Sequence, residues 1–188
     1  DLLHAYRALR NRLPSPFSCF FETELGSVLS LSPERFILSD GCNLLTQPIK
    51  GTAPRGKTPE ADRRLAQELQ QSPKDQAENL MIVDLLRNDF SKVCQPHTVL
   101  TPKLFNLESY ANVHHLVSSM SGVLKPGVSP IELLAACFPG GSITGAPKIR
   151  SMEVIEELET SRRSVYCGSI GYIDKSGKMD TNIAIRTI

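Results

Sequence analysis

The chain has 188 residues, of which 40% are hydrophobic and 22% are charged, and its 21 basic and 20 acidic side chains leave a net charge of +1. This composition is ordinary for one soluble globular domain with a sizeable core. The basic residues occur in scattered pairs, which gives no support for a nucleic-acid surface, and no apolar run reaches the ~20 residues that span a bilayer.

Two hairpins followed by two helices are predicted for the first half of the chain. Apolar and polar residues alternate on both sides of Gly26 and of Asp40-Gly41, which is typical of strands joined by tight turns. Ser72, Pro73 and Asp75 have the pattern of a capping box that begins a helix. The expected elements are strands over 17–31, 35–39 and 44–49, and helices over 59–71 and 72–88.

The second half predicts further strands with helices between them. Ser129-Pro130-Ile131-Glu132 opens a capped helix that ends before Pro139. Hairpins that alternate with helices, with few βαβ units, predict an α+β fold with mixed or antiparallel sheets and outer helices. Strands are expected over 113–124, 165–173 and 178–188, and an amphipathic helix after Pro147 with an apolar face of Ile149, Met152, Ile155 and Leu158.

The cysteines and the chain ends carry two further expectations. Five cysteines, an odd number, are widely separated and include no Cys-x-x-Cys pair, which disfavours a disulfide framework and a zinc site and predicts a reducing cytoplasm. The chain begins inside a helical pattern and ends in a strand pattern, so we expect residues 1–188 to be part of a larger domain. The cysteines are Cys19, Cys42, Cys94, Cys137 and Cys167.

Lys50 is held between two backbone constraints. It follows an extended run in which Pro48 fixes its own φ, and it precedes Gly51, which can adopt a positive φ at the start of a chain reversal. A lysine presented by rigid backbone can act as an anion clamp or as an amine nucleophile. The structural alternative is a solvated lysine at the end of a strand.

Two other positions offer groups for proton transfer. Glu34 follows Ser32-Pro33 at a strand end and can donate a proton if it is buried; otherwise it is a turn carboxylate. His114 and His115 are neighbours in a predicted strand, so they face opposite sides of the sheet and only one can reach a given pocket. Either histidine can equally be a structural residue.

Asp75 and Glu78 share one face of the second predicted helix. Mg²⁺ takes oxygen ligands and commonly uses only one or two protein carboxylates, so this pair can supply half of a magnesium site. Alternatively, Asp75 serves as a capping residue and Glu78 pairs with Lys74 on the surface.

The segment Gly140–Lys148 is a Gly-rich turn that leads into a helix. It is not a P-loop, because Ala146-Pro147 stands where Lys-Ser or Lys-Thr is required. Its amides and the hydroxyls of Ser142 and Thr144 can receive a carboxylate, unless the segment is only a tight turn. Arg186, in an otherwise apolar strand, can bind a carboxylate in bidentate fashion.

Together these segments resemble the chorismate-binding enzymes, the family that contains anthranilate synthase, isochorismate and salicylate synthases, and aminodeoxychorismate synthase. The resemblance covers nearly the whole chain and implies part of the family's αββα sandwich, without its N-terminal strands and its C-terminal metal-binding segment. Lysine at position 50, where anthranilate and salicylate synthases typically have alanine, resembles the branch that aminates chorismate at C4. The motifs are 32–36 (SPERF), 48–52 (PIKGT), 77–89 (AENLMIVDLLRND), 114–118 (HHLVS), 140–148 (GGSITGAPK) and 168–172 (GSIGY).

The resemblance implies an enzyme that converts chorismate and ammonia to 4-amino-4-deoxychorismate, the precursor of p-aminobenzoate and folate, with ammonia supplied by a partner glutamine amidotransferase. Lys50 would be the nucleophile, Glu34 the proton donor and His115 an active-site residue. Formation of anthranilate, or ligand binding without catalysis, are the alternatives. The implied ligands of chorismate are Arg186, Ser142, Thr144, Gly141 and Thr52, and those of Mg²⁺ are Glu78 and Asp75.

Overall fold

The structure is a computed structural model that describes all 188 residues. Its helices are α1 (Leu2–Arg12), α2 (Pro59–Gln70), α3 (Pro73–Val93), α4 (Pro130–Cys137) and α5 (Lys148–Leu158), with a 3₁₀ turn at Gly141–Ile143. Its strands are β1 (Phe17–Thr23), β2 (Gly26–Ser32), β3 (Arg35–Ser39), β4 (Asn43–Gln47), β5 (Ile49–Pro54), β6 (Leu100–Ser109), β7 (Val113–Val123), β8 (Gly171–Ile173) and β9 (Met179–Asn182).

Two antiparallel sheets confirm the predicted α+β class. Strands β1 and β2 form a hairpin of their own, and the other seven strands form one sheet in the order β5-β7-β4-β3-β9-β8, with β6 also paired to β7. Strands β4 and β5 lie end to end along one edge of β7, because Thr46 pairs with Met120 and Ile49 with Val117. The sheet therefore continues through Pro48, which stands between the two strands.

Helix α3 carries much of the core and reaches Val93, beyond the predicted end near Asn88. The longer helix follows from its buried stripe, because Phe90 and Val93 continue the pattern set by preceding apolar residues and are themselves buried. Buried Asn79 also joins this helix to β7: its side chain donates to the Leu116 carbonyl at 3.2 Å. The helix is thus fixed to the middle of the sheet by both packing and a polar contact.

The helix starts agree with the predicted capping residues, with one difference. The Ser129 and Glu132 side chains form a complete capping box at α4. At α3 the Ser72 hydroxyl accepts the Asp75 backbone N–H at 3.3 Å, but the Asp75 side chain does not complete a box. Its carboxylate is therefore not used by the helix start.

Strand β6 was not predicted, and its geometry explains why. It contains Pro102, its register against β7 shifts twice, and Phe105 has a φ of +54°. Such irregularities interrupt the alternation that identifies a strand and are typical of edge strands.

The two predicted C-terminal strands are much shorter than expected. Only 171–173 and 179–182 form regular strands, because Cys167 and Arg186 have left-handed φ values that interrupt an extended chain. After Asn182 the chain leaves β9 and pairs with the hairpin instead, where the Leu29 N–H donates to the Ile188 carbonyl at 2.9 Å.

The predicted apolar face of α5 is present but is not part of the core. Ile149 and Leu158 are each 75% exposed, and α5 has no buried residue. None of the five helices combines the length and the apolar character needed to cross a membrane.

Candidate functional site

Lys50 lies inside β5, which corrects the expectation that it ends a strand before a chain reversal. The chain does bend there: Gly51 has a φ of +90°, and the pairing with β7 shifts by one residue between Ile49 and Thr52. Half-buried Lys50 donates its Nζ to the Ser142 carbonyl at 2.9 Å and forms no ion pair with a carboxylate. A neutral acceptor thus holds the amine in place.

Glu34 is fixed in the connection between β2 and β3 and is only 5% exposed. Its backbone N–H donates to the Ser32 hydroxyl at 3.2 Å, and its carbonyl accepts the Ile183 N–H at 3.1 Å. These contacts fix the Glu34 backbone to the end of β2 and to the segment that follows β9. The condition for a proton donor, burial, is met.

Burial also makes the Glu34 carboxyl an unusually weak acid. Desolvation raises the pKa of Glu34 from 4.5 to about 7, although a hydrogen bond from the Ser142 side chain, the Lys50 charge and the Ile49 backbone N–H each lower it. A carboxyl group with this pKa holds a proton in a substantial fraction of molecules at neutral pH. Glu34, Lys50 and Ser142 therefore form one cluster that pairs an amine with a protonatable acid.

His115 lies in β7, directly opposite Thr52 of β5, which comes two residues after Lys50. Its Nδ1 is 2.9 Å from the Thr52 hydroxyl, and it is 3% exposed. Burial lowers the pKa of His115 and the Arg186 charge lowers it further, while a hydrogen bond to the Gly51 backbone and the Glu108 charge act in the opposite direction. The imidazole is accordingly biased toward its neutral form.

A cleft of about 380 Å³ opens beside His115. Arg186, Pro33 and Tyr110 also line it, whereas Glu34, Lys50 and Ser142 do not. Its walls are largely apolar, and Arg186 places a positive charge on one side. A small anionic ring compound suits this combination of apolar walls and a guanidinium group.

Tyr110 is a cleft residue that the sequence did not reveal. Its ring packs edge-on against His115, with centroids 5.6 Å apart, and its hydroxyl donates to Glu108 at 2.8 Å. It lies in the turn between β6 and β7, and because β6 was not recognised, no pattern placed this tyrosine near the histidine. The Arg55 guanidinium donates to the Tyr110 carbonyl at 2.6 Å and fixes this turn.

Arg186 lines the cleft, but it is not in a strand as predicted. It has a φ of +51°, and its carbonyl accepts the Leu31 N–H at 3.0 Å. The backbone is therefore tied to β2 while the exposed guanidinium is free to meet a ligand.

His114 serves the fold, in agreement with the expectation that only one histidine of the pair reaches the pocket. Its Nδ1 is 2.7 Å from the Ser109 hydroxyl and its Nε2 is 3.0 Å from Asp62. Asp62 also accepts two hydrogen bonds from Arg55, which holds the pKa of that carboxyl well below its usual range. Both nitrogens of His114 are occupied by structural partners.

The Gly-rich segment meets the site through Ser142 alone. The Thr144 hydroxyl donates to the Gly140 carbonyl at 3.0 Å, inside its own turn. Gly141 is buried, and a Cβ there would lie 2.8 Å from a methyl group of Leu85. Gly141 therefore permits close packing on α3. The next residue, Ser142, contacts Lys50 and lies against Glu34.

Asp75 and Glu78 lie on the same face of α3, next to β5. A Cβ on Gly51 would be 3.0 Å from the Asp75 Cβ, so Asp75 lies immediately beside the strand that carries Lys50. Exposed Glu78 has Lys74 at 3.9 Å. No group of three or more His, Cys, Asp or Glu side chains is placed to hold a metal ion. The chain therefore offers two hard oxygen donors, which fits the one or two protein carboxylates that Mg²⁺ commonly takes.

The charge of Arg186 should be measurable through His115. Replacing Arg186 with glutamine removes a positive charge that lowers the histidine's pKa, so the His115 imidazole is expected to titrate at higher pH. The measurement is an NMR titration of the His115 ring signals. Lys175→Gln, which removes a positive charge from the exposed Asp174–Gly177 turn, is the control, and an equal titration in all three proteins would show that Arg186 does not act on His115.

Comparisons with known proteins are consistent with this arrangement. The chorismate binding enzyme family model matches residues 1–188. Aminodeoxychorismate synthase component 1 of Salmonella typhimurium is 53% identical over 188 residues, which cover 100% of this chain and 41% of that protein. The chloroplastic aminodeoxychorismate synthase of Arabidopsis thaliana is 50% identical over 191 residues, which cover 100% of this chain and 21% of that protein. The chain thus spans less than half the length of the relatives it matches.

A solved structure supports the same fold. Anthranilate synthase component I from Streptococcus pneumoniae superposes with a TM-score of 0.89 at 37% identity, over 100% of this chain and 41% of that chain. The chain therefore has the same fold as the matching part of that protein.

Proposed function

Because the chain belongs to the chorismate-binding enzyme family, we propose that it forms the core of an aminodeoxychorismate synthase, which aminates chorismate at C4. The observation that carries the proposal is the cluster of Lys50, Glu34 and Ser142. It joins an amine that has no carboxylate partner to a buried acid whose pKa is raised to about 7. Sequence identity of 53% to an aminodeoxychorismate synthase component 1 supports the same branch.

The proposed reaction is a double displacement on the chorismate ring. The neutral amine of Lys50 forms a bond to C2, the two ring double bonds shift, and the C4 hydroxyl leaves as water with a proton from Glu34. Ammonia then attacks C4, the two double bonds return, and the electrons of the C2–N bond go back to Lys50, while the new ammonium group at C4 returns a proton to Glu34. The amino group ends on the carbon that lost oxygen, and the enolpyruvyl group stays in place.

Binding of a dicarboxylate is assigned to the groups around this cluster. Arg186 would pair with one carboxylate, and Thr52 and the Ser142 segment would face the other end of the ring. His115 would contact the ligand from the sheet. The Thr144 hydroxyl is used inside its own turn, so we assign Thr144 to the shape of the pocket, and we assign the Gly141 backbone amide to a substrate carboxylate.

Asp75 and Glu78 are the proposed ligands of Mg²⁺. When bound, Mg²⁺ would neutralise a substrate carboxylate. The two carboxylates lie on one face of α3, and Asp75 lies beside β5, the strand that carries Lys50.

A partner protein and a compartment follow from the same proposal. The name "component 1" of the bacterial relative supports a second component, and we assign it the role of a glutamine amidotransferase that supplies ammonia. All five cysteines are free thiols, which fits a reducing compartment such as the cytoplasm.

Product analysis of the full-length protein tests the proposal. With chorismate, Mg²⁺ and ammonia, the expected product carries an amino group at C4 and retains the enolpyruvyl group, as read by mass spectrometry and NMR. Anthranilate and pyruvate as products would assign the chain to the other aminating branch. Binding of chorismate without any turnover would leave a ligand-binding role and overturn the proposed reaction.

A further inference from the structure

Lys148 has an unusual set of partners for a lysine at the start of a helix. Its Nζ contacts an Asp89 carboxylate oxygen at 2.5 Å, the Cys137 carbonyl at 2.8 Å and the Pro139 carbonyl at 2.7 Å. An ammonium group has three hydrogens, so all of them are used. The side chain therefore connects α5 at once to α3 and to the end of α4.

Asp89 is the anchor of this arrangement. Its side chain is 1% exposed, and its other oxygen accepts Lys92 Nζ at 2.8 Å. A buried carboxylate is costly unless it is paired and hydrogen-bonded, which fixes the lysines around it. The two lysines differ in one respect, because only Lys148 also donates to the carbonyls of Cys137 and Pro139, just before the Gly-rich segment.

Through these carbonyl contacts Lys148 closes the segment 137–148 into a loop. Inside the loop the chain is packed without spare room: a Cβ on Gly140 would overlap Ile183, and one on Gly141 would touch Leu85. The closed loop places the 3₁₀ turn, with Ser142 at its centre, between α3 and the strands.

Ser142 is the point at which this loop meets the proposed catalytic pair. Its carbonyl accepts Lys50 Nζ at 2.9 Å, and its side chain lowers the pKa of the buried Glu34 carboxyl. A displacement of Ser142 would thus alter both the amine and the acid. No hydrogen bond joins Lys50 or Glu34 directly to α4 or α5.

We propose that Lys148, anchored by Asp89, is a positioning residue that holds Ser142 against Lys50 and Glu34. The buried Lys148–Asp89 ion pair fixes the loop 137–148 to α3. Ser142, in this loop, in turn fixes Lys50 and lies against Glu34. The expected effect on turnover rests on the proposed function; the expected effect on the Glu34 proton does not.

The test compares Lys148→Met with Lys92→Met. Both variants remove a lysine from Asp89, but only the first also removes the ties to Cys137 and Pro139. In Lys148→Met the Glu34 carboxyl is expected to titrate at higher pH, because the hydrogen bond from Ser142 that lowers its pKa is weakened. The Glu34 titration in Lys92→Met should match that of the wild type. Carboxyl ¹³C NMR of the 188-residue chain measures both.

Activity of the full-length protein gives a second reading. Misplacement of a reacting group lowers kcat with little effect on KM, so Lys148→Met should lose about 10- to 100-fold in kcat. If the wild-type protein does not aminate chorismate at C4, the proposed function is wrong. The Glu34 titration would still test whether Lys148 positions Ser142.

Folding is controlled with a double variant. Asp89→Leu combined with Lys148→Met removes both buried charges, and such pairs can be replaced by apolar residues with little loss of stability. A folded Lys148→Met or double variant with an unmoved Glu34 titration would overturn the proposal. An equal shift in Lys92→Met would also overturn it, because neutralisation of Asp89 alone would then explain the effect.

Discussion

Replacing Lys50 with alanine is expected to lower C4 amination by the full-length protein by at least about 10³-fold, because the variant lacks the proposed nucleophile. In the wild type Lys50 Nζ donates to the Ser142 carbonyl, and no carboxylate forms an ion pair with it. The measurement is the rate of aminodeoxychorismate formation with ammonia as the nitrogen source. Lys57→Ala, in the exposed segment after β5, is the matched control and should retain activity.

Lys50→Arg separates a nucleophile from an anion clamp. Arginine keeps the positive charge and can still donate to the Ser142 carbonyl, but it stays protonated and cannot attack the ring. We expect Lys50→Arg to be as inactive as Lys50→Ala. If it retains most of the activity, Lys50 acts through its charge and no covalent bond is formed.

The covalent step also predicts a species that mass spectrometry can detect. In the absence of ammonia the second displacement is blocked, so wild-type protein incubated with chorismate should gain the mass of chorismate minus one water on Lys50. The adduct should be missing from Lys50→Arg and should disappear when ammonia is added.

Replacing Glu34 with glutamine is expected to lower turnover by about 10²- to 10⁴-fold, the usual contribution of a general acid. Glutamine has the same shape and can accept from Ser142, so the loss would report the missing proton and not a missing contact. Glu24→Gln, in the exposed β1–β2 turn, controls for the loss of one carboxylate. Unchanged turnover in Glu34→Gln would mean that another group protonates the leaving hydroxyl.

The same variant should change how stability depends on pH. The pKa of Glu34 is raised in the folded protein, so its contribution to stability is complete below pH 4.5 and is lost as the pH rises to about 7. That difference in pKa corresponds to about 3 kcal/mol in the free energy of unfolding. Urea unfolding between pH 4.5 and 8 should therefore show a fall in wild-type stability that Glu34→Gln lacks. Parallel pH dependence in the two proteins would contradict the raised pKa.

The sequence predicted those parts of the fold that depend on local patterns. The hairpin around Gly26, the helix starts at Ser72 and Ser129 and the strand with the two histidines all formed at the expected places. Strand β6 and the path of the last residues did not follow from local pattern. They depend on a proline, on positive φ values and on pairing with residues far away in sequence, for which a single sequence carries no periodic signal.

The site shows the same division. Motifs pointed to Glu34, Lys50, His115 and Arg186, and the structure places each of them at the cluster or the cleft. The protonation states of Glu34 and His115 could not be predicted. The burial that raises the pKa of Glu34 and lowers that of His115 results from packing between elements that are distant in sequence. Lys148 lies in one of the motifs, but its proposed positioning role follows from three contacts of its Nζ that form only in the folded chain.

The pairing of β2 with the end of the chain also bears on the order in which the protein folds. The Ser30 and Thr187 hydroxyls lie 2.8 Å apart although 157 positions separate them in sequence. Contacts of such high sequence separation form late, since the entropy of closing the loop must be paid before they contribute stability. Arg186 belongs to this segment. The cleft wall that carries Arg186 is accordingly expected to be among the last parts to become ordered, after β5, which carries Lys50, has paired with β7.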